Sequence, residues 1–130
     1  MQSYELTDVQ AEGSATVAAL RAELQARGIT EYAVVDHGHD MAQAGVSAHP
    51  AWTIVFGNPA AGEALLAREL TAAVDIPLRL AVIGAEAGRS RIVLRPMESL
   101  LDPALADLAQ RLSAVLRELA AATRERAQRA

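Results

Sequence analysis

Asp36-His37-Gly38-His39-Asp40 is the densest run of chemistry-bearing side chains in this 130-residue sequence. His37 and His39 would project to one side if a strand ran through them, because strand side chains alternate. Two imidazoles with an Asp, or with His49, make a donor set for Zn, Ni or Cu. Gly38 interrupts such a strand, and a short solvated His-rich loop is the plainer reading. Asp36, His37 and Asp75 form a second candidate set, for acid–base chemistry, if the fold brings them together. Asp75, before Ile76-Pro77, also reads as a turn residue whose carboxylate accepts backbone N–H bonds. By itself His37 reads as a hydrogen-bonding residue near Asn58 or the Asp75 loop.

A third candidate is Gly57-Asn58-Pro59-Ala60-Ala61-Gly62, placed between a β-branched run and a helix-forming run. Glycine-rich turns before a helix expose N–H groups that can hold an anion. Nucleotide binding further needs Lys and Ser/Thr after the second glycine. Glu63 and Ala64 stand there, and a carboxylate would repel phosphate. The six serines offer no Gly-x-Ser-x-Gly nucleophile elbow. Without cysteine, disulfides, thiolate catalysis and Cys-ligated metals are excluded.

These residues must be positioned by a core of Ala, Val, Leu and Ile, since the chain is 52% hydrophobic but only 3% aromatic. A net charge of −4 argues against a nucleic-acid partner. The N-terminus shows neither the basic nor the apolar region of a signal peptide, and no apolar run approaches a membrane span. The expectation is a cytoplasmic protein of one domain, residues 1–130, with no cofactor.

The patterning predicts a short strand at residues 2–6, then a helix capped by Ser14. Val17, Leu20 and Leu24 mark its apolar face and Gly28 its end. A second strand through Tyr32–Val35 ends at Asp36-His37-Gly38. One helical turn follows at Asp40–Gly45, and Pro50 closes the connection. Ala51–Phe56 is the third strand, followed by a loop, a helix Glu63–Leu70 and a connector Thr71–Asp75. Strands Leu78–Ile83 and Ser90–Leu94 form a hairpin about Glu86-Ala87-Gly88. Asp102-Pro103 starts the last helix, as cap and first helical residue. Leu105, Leu108, Leu112, Val115 and Leu119 form its apolar stripe, read as core or as a partner-helix surface, and the tail after Thr123 frays. The predicted fold is α+β: a five-stranded, mainly antiparallel sheet with two long helices on one face, β-α-β-β-β-β-α, plus a short helix after the third strand.

The residues Asp36-His37, Ala42, Gly45-Val46, Pro50, Phe56-Gly57-Asn58-Pro59, Gly62, Leu65 and Asp75-Ile76-Pro77-Leu78 carry a resemblance to a family. Their order and spacing are similar to those of the prokaryotic "domain of unknown function 302" family, over about residues 14–96. Two places depart from it: Gly62-Glu63 stands where the family often has Gly-Thr, and His39 and His49 are not signature residues. The resemblance implies a TATA-binding-protein-like topology and self-association, and no established activity.

Three readings follow. The first is a homodimeric binding or accessory module with a small-molecule pocket between sheet and helices, lined by Asp36, His37, Phe56, Gly57, Asn58 and Asp75. The second is an enzyme using His37 with Asp36 or Asp75. The third is a metal site at His37, His39 and His49.

Overall fold

The structure is a computed structural model that describes residues 3–130. Its regular elements are β1 (Glu5–Val9), α1 (Gly13–Ala26), β2 (Thr30–Asp36), α2 (His37–Gln43), β3 (Ala51–Gly57), α3 (Pro59–Arg68), β4 (Leu78–Gly84), β5 (Ser90–Leu94) and α4 (Ala106–Arg129). Short 3-10 turns lie at Leu70–Asp75, Met97–Ser99 and Pro103–Leu105. The first strand begins later than its pattern suggests, and Gln2 is outside the described residues. The expected α+β architecture is present, and the helical turn expected at Asp40–Gly45 is α2, which begins three residues earlier at His37 and ends at Gln43.

The strands form one sheet in the order β1-β5-β4-β3-β2, every neighbouring pair antiparallel. Alternation sorts the side chains between its faces. Ile54, Phe56, Leu80, Val82 and Ile92 are at most 1% exposed and belong to one core cluster with residues of α1 and α4. Thr53, Val55, Ala81 and Val93 point the other way and are only half-buried. The two long helices also pack on each other.

Gly28 ends α1 as its position suggests. Its φ of +66° lets Gly28 N–H reach the Gln25 carbonyl and Ile29 N–H the Leu24 carbonyl, the double bond of a Schellman stop. The start of α1 differs from expectation. The helix begins at Gly13, preceded by Glu12 with no side-chain cap, so Ser14 does not cap it. Glu12 Oε1 instead accepts from Gly88 N–H at 2.7 Å, across the sheet. Gly13 presses on the only indole, and a Cβ there would lie 2.5 Å from Trp52 Cζ3. A tertiary contact therefore sets this start.

Asp102 Oδ1 accepts from Ala104 N–H at 2.8 Å and opens a 3-10 turn that runs into α4. The buried face of α4 is not the leucine stripe alone. Ala109, Ser113, Leu116, Ala120, Thr123 and Ala127 are buried, whereas Leu108, Leu112 and Val115 are only partly covered. The tail does not fray either. Arg126 Nε reaches Glu23 Oε1 at 3.0 Å, and Gln128 Oε1 accepts from Gln10 N–H at 3.0 Å. Burial of Glu23 opposes its ionisation, but hydrogen bonds from Arg126 and Arg27 outweigh this and hold its carboxyl below the ordinary value.

Buried polar groups between the layers are mostly matched: Thr16 Oγ1 and Ser90 Oγ lie 2.8 Å apart, joining α1 to β5. Thr123 Oγ1 is buried with no hydrogen-bond partner. Thr123→Val keeps the shape and removes the unmatched hydroxyl, so it should stabilise the fold by about 1 kcal/mol. A lower urea midpoint in the variant than in the wild type would refute this.

Candidate functional site

Asn58-Pro59 after β3 proves to be a helix start rather than part of a glycine loop. Asn58 Oδ1 accepts from Ala60 N–H at 2.9 Å, with Pro59 in the first helical turn. Gly62 thus lies inside α3, and the expected helix Glu63–Leu70 begins four residues earlier and ends two earlier. The chain returns through the Leu70–Asp75 turn and Ile76-Pro77, and Leu78 pairs with Phe56. This excursion leaves a groove of about 850 Å³ between the sheet end, α3 and α4.

Phe56 and Leu65, both at most 1% exposed, belong to its lining. Leu66 and Ile76 line one part, Leu112 and Val115 of α4 another. This use explains why those two α4 residues stay partly open. Tyr32, Asn58 and Glu63 contribute side-chain polar groups, Asn58 with one oxygen already engaged in capping. Among the described residues Glu63 and Tyr32 are the only ionisable ones in the lining, so the groove offers apolar contact and orientation rather than paired acid–base groups.

The sequence candidates divide between places. Phe56, Gly57 and Asn58 line the groove together. Asp36 and His37 sit at the other end of the sheet, because antiparallel register puts Asp36 opposite Trp52 and Thr30 opposite Gly57. These pairs are five residue steps apart on β3, roughly 16 Å along the strand. Asp36 Oδ1 caps α2 by accepting from His39 N–H at 2.9 Å. His37 Nε2 lies 2.8 Å from Thr53 Oγ1, so its hydrogen-bond partner is neither Asn58 nor the Asp75 loop. Asp75 lies at the groove end of β3 but lines a separate depression on the uncovered sheet face, with Thr53, Arg79 and Arg95. A mouth formed by all six residues does not exist.

His37 and His39 occupy the first turn of α2, while His49 lies in the following loop. Among the described residues no group of three or more His, Asp or Glu side chains is placed to hold a metal ion. The groove residues that sequence reasoning missed are Tyr32, Leu66, Ile76, Leu112 and Val115. Their apolar character was visible, but it resembles that of core residues.

Residues 6–129 match the family described as domain of unknown function DUF302. The chain belongs to that family. A crystal structure of an uncharacterized conserved DUF302 protein from Bacillus stearothermophilus shares the fold, with a TM-score of 0.84 and 21% identity over 93% of this chain and 98% of that one. The DUF302 match thus extends past the motif-bearing middle of the chain into β1 and α4.

Two proteins named fluoride-specific ion channel FluC 1, from Brucella suis and Brucella abortus, are each 33% identical over 64 residues. That is 49% of this chain but only 25% and 24% of theirs, so the similarity concerns one segment of longer proteins. Among the described residues of this DUF302 chain, no helix is long and apolar enough to cross a membrane.

Proposed function

We propose that this DUF302 chain is a binding module whose groove takes a small molecule with a largely hydrocarbon body and one polar end. The observation that carries the reading is the lining itself: Phe56, Leu65, Leu66, Ile76, Leu112 and Val115 around a volume that fits a small ligand. Leaving such a surface in water is costly, at about 25 cal/mol per Å² of apolar area. Tyr32 and Glu63 can orient a hydroxyl or amine. The uncharged fluorophore N-phenyl-1-naphthylamine tests this directly. It should bind saturably, one per chain, and Ala61→Trp, at an exposed lining position, should weaken it at least about tenfold by filling the groove. Equal binding by the variant would remove the groove from the function.

Self-association belongs to the same reading. Leu70 and Val74 stand 73% and 80% exposed on one 3-10 turn, apolar surface that a second copy would cover. Sedimentation at micromolar concentration should show twice the chain mass, and a monomer would overturn the dimer.

The Brucella similarity supports the accessory side of the reading, since there a related segment forms part of a protein named as a fluoride channel. If this chain serves such a channel, deleting its gene should sensitise the host to fluoride. Unchanged growth in fluoride would set that role aside.

A further inference from the structure

The sheet face that no long helix covers carries an unusual placement of charge. The β4–β5 ladder ends at the pair Ala81–Val93, and Arg79 on β4 and Arg95 just after β5 each lie two residues beyond it, on the same sheet face. Two like charges held near each other on one sheet face repel. Among the described residues Arg79 forms no ion pair within 4.0 Å. Arg95 is held in place by Tyr4, donating to its hydroxyl at 2.9 Å with the guanidinium 4.7 Å from the ring centroid. Both arginines line a depression of about 400 Å³ that also includes Thr53, Asp75, Ala81 and Val93.

We propose that this depression is a second binding site, separate from the apolar groove, for a small organic anion: a carboxylate or phosphate monoester bearing a hydroxyl or amine. The Arg79 guanidinium offers planar donors for the anionic end, and Arg95 adds positive charge to the same depression. Asp75 accepts from the hydroxyl or amine and disfavours a fully anionic ligand. Thr53 adds a hydroxyl whose direction His37 controls. With the proton on His37 Nε2, the imidazole donates to Thr53 Oγ1, and the threonine hydroxyl is free to donate to the anion. The site gives a joint use to Arg79, Asp75 and His37, none of which the apolar groove employs.

Titration of the arginine Nε–Hε resonances with glycerol 3-phosphate, lactate and inorganic phosphate, at constant ionic strength, tests the site. Saturable shifts of Arg79 and Arg95 are expected with glycerol 3-phosphate or lactate, with inorganic phosphate weaker. Arg79→Gln should weaken binding at least about tenfold. Arg91→Gln, which removes an arginine paired with Asp8 on the same face, should leave it unchanged. Non-saturating shifts with all three probes, matched effects of chloride, or equal losses in both variants would overturn the proposal. Thermal melts of both variants confirm folding, and the wild-type titration stands without them. N-phenyl-1-naphthylamine binding remains intact in Arg79→Gln, so failure of either site is read independently.

Discussion

Phe56→Ala should lower the unfolding free energy by about 3–5 kcal/mol, the range for removing a fully buried aromatic side chain. Phe56 has no exposed surface, is the largest of the fully buried side chains, and is the chain's only phenylalanine. It lies on the helix-facing side of β3, paired with Glu31 on β2 and Leu78 on β4. The surrounding core is built mostly of Ala, Val, Leu and Ile. The deletion also removes part of the groove's lining. Urea unfolding followed by far-UV circular dichroism measures the loss. A change below about 1 kcal/mol would mean that the core collapses around the gap, contrary to its close packing.

Ser113→Ala is expected to cost about 2–3 kcal/mol near neutral pH, through hydrogen bonding rather than volume. Ser113 has no exposed surface, and its Oγ accepts from the Met97 N–H at 2.8 Å while donating to the Glu98 carboxylate. Alanine leaves a buried backbone donor unmatched and takes a donor from a charged acceptor. The Ser113 hydroxyl is the main cause holding the Glu98 carboxyl below its ordinary value of 4.5, with the Glu98 backbone N–H adding to it. A carboxyl depressed in the folded state stabilises it above the unfolded value, and that contribution fades as pH falls through the folded value. The stability gap between wild type and Ser113→Ala should therefore narrow below about pH 4. Urea midpoints at pH 7 and pH 3 measure it, and an equal gap at both would remove Glu98 from the account.

Local signals were legible wherever one residue type satisfies a backbone need that no distant contact can override. Gly28 stops α1 at positive φ, Asp102-Pro103 opens the last helical segment, and strand Ser90–Leu94 has the bounds its pattern suggests. Asn58-Pro59 bears the same signal as Asp102-Pro103, but the flanking Gly57 and Gly62 made it read as a loop. The buried face of α4 was hidden for another reason. In an alanine-rich helix the residues at the close contacts are Ala109, Ala120 and Ala127, which no hydropathy pattern separates from the exposed alanines beside them.

The residue types alone determined the α+β class, the family motif and the absence of thiol chemistry. Only tertiary structure decided which candidates could meet. Asp36-His37 and Gly57-Asn58 both follow strands, so each reads as the end of a strand. The two strands are antiparallel neighbours, however, and the end of one lies beside the start of the other. Asp75 was separated in another way: it reaches the right end of the sheet but opens on the opposite face. Pairing direction and sheet face are properties of partners far apart in the chain, and no local spacing encodes them.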